Sequence, residues 1–147
     1  MKFTCSVDIN VAIDDLIPLW EDPENLVHWQ DHFLRLEHIH GDPGEPGAQT
    51  KFFYKQGKGE MELLETITLK DLPQEMIATY EHKSMTNIMT NRFHILSPGK
   101  TRWETEIEYT QFKGLIVNVM AKLFPGMFKK QVQKWLDQFK HFAESKK

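Results

Sequence analysis

Phe128, Val132, Trp135, Phe139 and Phe142 recur at intervals of four, three, four and three residues near the end of the chain. That spacing places five large apolar side chains along one side of a single α-helix. Lys129, Lys130, Lys134, Asp137, Lys140 and Glu144 fall on the other side. A helix carrying such a stripe draws its stability from packing rather than from propensity, so it must lie against an apolar surface long enough to cover it. In a chain of 147 residues, the length of one ordinary domain, the residues before it have to supply that surface.

Most of those residues alternate. Phe3, Cys5, Val7 and Ile9 interleave with Lys2, Thr4, Ser6 and Asp8, the period of a half-buried strand. Asn10 is placed to cap a helix reaching about Trp20, with Ile13, Leu16, Ile17 and Trp20 on one face and Pro18 keeping it short or kinked. Asp22-Pro23-Glu24 reads as a second start, with Asp22 as cap and proline at the first helical position. Strands follow over Leu34–His40, around Thr50, Phe52 and Tyr54, and from Met61 to Leu69. Three more run through Met76 to His82, Met85 to Ile95, and Arg102 to Tyr109, where Trp103, Thr105, Ile107 and Tyr109 oppose Arg102, Glu104, Glu106 and Glu108. The connections are short and rich in Gly, Pro and Asp, which predicts an antiparallel meander with one wet and one covered face. Leu115–Phe124 reads as a further helix stopped by Pro125-Gly126, with the long helix running from Met127. The expected fold is α+β: about seven antiparallel strands, two short helices after the first, and a long last helix on the covered face, all in one domain over 1–147.

Composition narrows the function. The chain is 40% hydrophobic and 27% charged with a net charge of −3, which excludes a disordered protein and argues against general affinity for nucleic acid. A single cysteine, Cys5, allows no intrachain disulfide and fits a reducing compartment. Asp8, Asp14 and Asp15 interrupt the first apolar stretch, and Asn118, Lys122, Pro125 and Gly126 interrupt Leu115–Phe128. Neither is the run of roughly 20 clean residues a spanning helix needs, so the expectation is a cytoplasmic protein without stable membrane insertion. Residues 113–147 hold eight lysines and two acids, a charge of +6, against −9 for residues 1–112. That basic segment reads either as a solvated helix face or as a surface for an anionic partner or lipid head group. Phe53 points outward between Lys51 and Lys55 and is the candidate for a dimer contact; the expectation is a monomer or weak homodimer.

The inward parity of the strands collects Phe52, Tyr54, Met61, Leu63, Met76 and Tyr80, then Met89, Asn91, Phe93, Trp103 and Tyr109. Phe128 and Trp135 face them from the last helix, with Met120 and Phe124 beside Leu115, Val119 and Leu123 near an expected entrance hinged at Pro125-Gly126. Thioethers adapt to irregular guests, and Tyr and Trp combine an apolar body with one polar tip. On the residues alone a filled core and an open pocket are both admissible. Glu65 shares the parity of Met61, Leu63, Ile67 and Leu69, so a regular strand buries it, where it must pair or take up a proton; a bulge would turn it outward instead. With Tyr80 and His82 it forms the candidate acid–base group, and Tyr54 and Asn87 share its face. His28 and His32, four apart, and His38 and His40 lack a third ligand in a diagnostic pattern, so no metal and no cofactor is expected.

The order of these elements resembles the SRPBCC superfamily of START, birch-pollen-allergen and polyketide cyclase proteins, which share the helix-grip fold. Asp22-Pro23-Glu24-Asn25-Leu26 with Trp29, Gly99-Lys100-Thr101-Arg102, and Lys134-Trp135-Leu136-Asp137-Gln138-Phe139-Lys140 are similar to its segments after the first helix, into the last strand and in the closing helix. Val11-Ala12 and Pro18 depart from it. The resemblance implies a curved sheet gripping the last helix, with a cavity between them for a hydrophobic small molecule that Glu65, Tyr80 and His82 would orient. It also admits a cyclase- or dehydratase-like enzyme working by acid–base catalysis without metal, and a protein-interaction module of the same fold.

Overall fold

The computed structural model describes residues 1–123 and 125–147. Strand β1 (Lys2–Ile9) leads into α1 (Ile13–Glu21), a 3-10 turn (Pro23–Asn25) and α2 (Leu26–Trp29). Strands β2 (Phe33–His40), β3 (Gln49–Gln56), β4 (Gly59–Asp71), β5 (Glu75–Glu81), β6 (Met85–Ser97) and β7 (Lys100–Phe112) follow, then α3 (Leu115–Leu123) and α4 (Pro125–Glu144). Every strand pair is antiparallel, and the sheet order is β1-β7-β6-β5-β4-β3-β2. The meander thus runs from β2 to β7, and β1 closes it by pairing Cys5 with Thr105 and Val7 with Trp103. Register shifts at Ile67/Leu69 between β4 and β5, and at two places each in β2/β3 and β6/β7, bend the sheet into a trough.

Helix α4 is tied along β1 and runs in the same direction. Gln133 donates to the Ser6 carbonyl at 3.0 Å, Lys140 to the Asp8 carbonyl at 2.7 Å, and the Asn10 N–H to Glu144 at 2.8 Å. Beneath it Phe139 is fully buried, with ring centroids 5.2 Å from Trp29 and 5.3 Å from Trp103. Trp20 completes this cluster at 6.0 Å from Trp103 and 5.1 Å from Phe93. Ile9, Leu16 and Leu136 fill the space around it.

Three local expectations change. Helix α1 starts at Ile13 behind Ala12, not at Asn10, because the Asn10 N–H is engaged by Glu144, the chain bends at Asn10 and Val11, and Ala12 is still extended. Helix α4 starts at Pro125, two residues before Met127; proline's fixed φ and missing N–H cost nothing in a first turn. Phe53 does face outward, but the Arg35 guanidinium sits 4.1 Å above its ring and leaves it 9% exposed, so it offers no bare dimer surface. The Asp22 cap is formed: its carboxylate accepts from the Glu24 N–H at 3.0 Å.

Because Phe139 joins α4, α2 and β7 in one packed unit, Phe139→Ala is expected to lower stability by about 3–5 kcal/mol. Urea denaturation followed by tryptophan fluorescence checks it; a loss under about 1 kcal/mol contradicts this account of the core.

Candidate functional site

Large rings prop α4 above the trough rather than letting it settle. Phe128 rests 5.2 Å from Tyr109, Trp135 stacks on Tyr54 at 5.6 Å, and Phe139 stands on Trp103. The floor between these props carries the small Ala78, and a cavity of about 670 Å³ remains between sheet and helix. That is room for a drug-sized molecule.

Strand register orders the cavity floor in bands. Thr50, Glu65, Tyr80, Asn87 and Tyr109 lie side by side across β3, β4, β5, β6 and β7, and all five line the cavity. Next to this polar row runs an apolar one, Ile67, Ala78, Met89 and Ile107, and beyond that Met76, Asn91 and Thr105. Phe52, Leu63, Met61 and His82 continue the lining on the other side. A guest would therefore meet a polar stripe of five side chains with an apolar band beside it, and further polar groups at Asn91, Thr105 and His82.

Glu65 is the centre of that stripe. Tyr80 donates its hydroxyl to Glu65 Oε2 at 2.6 Å, and among the described residues Oε1 accepts nothing. Both side chains keep some accessible surface, but they line the cavity, away from the outer face of the sheet. Burial raises the Glu65 carboxyl above its ordinary range, and the Tyr80 hydrogen bond only partly offsets this. Burial and the Glu65 charge push the Tyr80 hydroxyl far up and Tyr54 up as well; burial alone takes Tyr109 to about 12. His82 is lowered by burial and by Lys83, and its Nδ1 accepts from the Ser84 N–H at 3.1 Å, so the neutral ring carries its proton on Nε2. Tyr54 points its hydroxyl at Gln30 Oε1, 2.8 Å away, and Asn91 accepts from Trp103 Nε1 at 2.9 Å. The Asn87 Oδ1, Thr105 Oγ1 and Trp135 Nε1 atoms are buried without a partner among the described residues, each on a side chain that lines the cavity.

Of the side chains singled out from sequence, Phe52, Tyr54, Met61, Leu63, Glu65 and Met76 line the cavity, as do Tyr80, His82, Met89, Asn91, Trp103 and Tyr109, with Phe128 and Trp135 above. Phe93 does not: it is 5% exposed and packed between Trp20 and Trp103, behind the wall. Met120 does not either, because α3 carries it away from the trough to a solvent-facing position. Phe124 lies outside the described residues. Gln30, His38 and Gln131 were missed, since they sit in a turn, near a strand end and on the flank of the helical stripe, where periodicity is silent; Ala78 and Thr105 carry the right parity but small or polar side chains. His28 stacks on Phe142 at 5.4 Å while His32 sits past the end of α2 with φ of 66°, so the two do not share a helix face. No group of three or more His, Cys, Asp or Glu among the described residues is placed to hold a metal ion, and no helix among them is long and apolar enough to cross a membrane.

No protein-family model matches the sequence, and no curated protein matches it either. Solved structures do match in three dimensions. An aromatase/cyclase from a Streptomyces species aligns with a TM-score of 0.80 at 8% identity over 98% of this chain and 93% of its own. A protein from Thermus thermophilus aligns at 0.78 with 14% identity over 99% and 98%. Ara h 8.0201 aligns at 0.72 with 14% identity, again over 99% and 98%. The likeness covers the whole chain, and the fold is the helix-grip fold.

The raised Glu65 carboxyl has a thermodynamic consequence. A folded state that holds its proton more tightly than the unfolded chain is favoured fully below the ordinary carboxyl value of 4.5, and that advantage is lost as pH rises through the folded-state value. Glu65→Gln does not titrate, so the stability of the variant relative to the parent should rise as pH increases above the ordinary carboxyl value of 4.5. Urea midpoints of the two proteins across that range test it; a difference that stays constant with pH refutes the burial of Glu65.

Proposed function

We propose that the protein binds an apolar small molecule between the sheet and α4, oriented by a hydrogen bond from the guest's polar end to Glu65. The observation that carries this reading is the cavity of about 670 Å³ with aromatic, thioether and aliphatic walls and one carboxyl group in its floor. Burying the guest contributes about 25 cal/mol for each Å² of apolar surface removed from water. Orientation comes from chemistry at one point. Tyr80 has already spent its hydrogen on Oε2, so the free Oε1 calls for a donor: a hydroxyl, a phenol or an N–H. The orphaned Asn87 Oδ1, the neighbour of Tyr80 along the same row, asks for the same. A guest ending in a carboxylate would face Glu65 without compensation, because Lys70, the lysine in the lining, is held by Glu21 at 3.4 Å and Glu45 at 3.2 Å.

A second reading has one observation in its favour. A carboxyl group raised by burial and bonded to a tyrosine in a mostly apolar cavity is suited to moving a proton, and one structural neighbour is an aromatase/cyclase. On that reading Glu65 is the base or acid, Tyr80 positions it, and the neutral His82 supplies a second exchangeable proton at the rim.

Binding is measured with phenylnaphthylamine, a neutral fluorescent amine with one N–H donor, together with native mass spectrometry of protein purified from its own host. The expected results are a co-purified neutral guest and saturable dye binding. Ala78→Phe, which fills the floor, should cut dye affinity more than ten-fold, and Glu65→Gln several-fold, with circular dichroism confirming that both variants are folded. A folded Ala78→Phe protein that binds at parental strength removes the cavity from the function. Substrate turnover abolished in Glu65→Gln while the guest still binds would favour the enzyme.

A further inference from the structure

Helix α3, nine residues long, does not line the cavity. It joins β7 to α4 and packs against α4. Leu115, Val119 and Leu123, at i, i+4 and i+8, form a stripe on it with exposures of 81%, 43% and 65%. Met120 and, on the first turn of α4, Met127 extend the patch, both more than one-third exposed. Isolated apolar side chains on a surface need no explanation, but a contiguous set on one short helix does.

The charges around it narrow what could cover it. Lys113 and Lys122 belong to α3 or its approach, and Lys129 and Lys130 to the first turns of α4. The β3–β4 and β5–β6 turns, which lie at this same end of the sheet, add Lys58 and Lys83; the Lys113 N–H donates to the Ser84 carbonyl at 2.7 Å. All six lysines are exposed, and among the described residues none forms an ion pair. By contrast Lys134 and Lys140, farther along α4, are bound to Asp31 and Glu144. The unpaired acids at this end are Glu81 and Glu108. Of the eight lysines of residues 113–147, four that form no ion pair among the described residues therefore stand on α3, its approach and the first turns of α4, at the end that carries the exposed stripe.

We propose that α3 and the lysines around it form a docking surface for an anionic lipid bilayer. Apolar side chains on a short helix ringed by free lysines are what an interfacial helix presents to lipid. At nine residues α3 is roughly 13 Å long, less than half the hydrocarbon core, so it lies in the interface and does not span it. A second copy of this chain is a poorer occupant, because stacking two α3 stripes would bring both lysine sets together. The docking surface does not depend on what the cavity holds, although Met127 belongs both to its edge and to the cavity lining.

The test is co-sedimentation of the full chain with vesicles of phosphatidylcholine alone and of phosphatidylcholine mixed with phosphatidylglycerol. Binding is expected to the mixed vesicles and to weaken with added salt. Leu115→Asp with Leu123→Asp should abolish it, and each of Lys113→Gln, Lys122→Gln and Lys130→Gln should lower partitioning about five-fold. These positions are exposed, and unchanged circular dichroism confirms that the fold survives. Absence of binding to the mixed vesicles, or equal binding to both kinds, overturns the proposal. So does sedimentation velocity showing a dimer that the Leu115→Asp, Leu123→Asp variant dissociates, which would assign the stripe to a second copy.

Discussion

The structure depends on how α4 is held. Hydrogen bonds to the Ser6 and Asp8 carbonyls and from the Asn10 N–H fix the helix along β1, at one edge of the trough, and the rings of Phe139, Trp29 and Trp103 lock that edge. Over the rest of the trough the helix is carried by side-chain length: Phe128 reaches Tyr109 and Trp135 reaches Tyr54. Backbone attachment on one side and long aromatic struts on the other leave a hollow where a close-packed protein would place aliphatic side chains. The cavity is thus a consequence of where the helix is anchored and of the size of the residues that meet beneath it.

An open hollow makes a carboxyl group tolerable in the floor. Glu65 sits in a row where its neighbours across the strands are Thr50 and Tyr80, each able to hydrogen-bond, and Asn87 and Tyr109 continue the row. Had the trough been filled with aliphatic side chains, Tyr80 would still have been the carboxyl's one hydrogen-bond partner among the described residues, and Oε1 would have faced apolar side chains instead of the hollow. The unpartnered Asn87, Thr105 and Trp135 atoms fit the same logic, since each lies on a residue that faces the hollow. A buried polar group without a partner costs stability where it sits.

Much of this was legible in the sequence because strands and helices leave periodic traces. The alternation of Trp103, Thr105, Ile107 and Tyr109 fixed which side chains of β7 face α4, and the four-three spacing from Phe128 to Phe142 fixed the face that α4 returns. Parity likewise brought Glu65 and Tyr80 to one surface, although their adjacency required the register of β4 on β5. What parity could not convey is depth. Phe93 has the same inward sense as Met89 and Asn91, yet Trp20 from α1 covers it, and no local pattern announces that contact between residues 73 positions apart. Gln30 was silent for a related reason: it follows the last turn of a four-residue helix, and only the approach of Tyr54 gives it a role. Met120 was placed at the entrance because helix α3 is apolar, and apolarity alone does not say which surface a helix lies on.

The distribution of charge ties these parts together. Acidic side chains on the sheet are largely matched: Arg92 holds Glu75 and Glu104, Arg102 holds Asp8, Arg35 holds Glu60, and Lys51 holds Glu62. These pairs are exposed or half-exposed and individually worth little, but they neutralise the outer face of the trough. The two ends then differ. At one, Lys70 is shared by Glu21 of α1 and Glu45 of the β2–β3 loop, drawing three elements together beside Pro43 and Gly44 of the cavity lining. At the other, lysines stand unpaired around α3 and the start of α4. The six lysines without an ion pair at the α3 end and the Lys70 strap at the other give the trough a different charge pattern at each end.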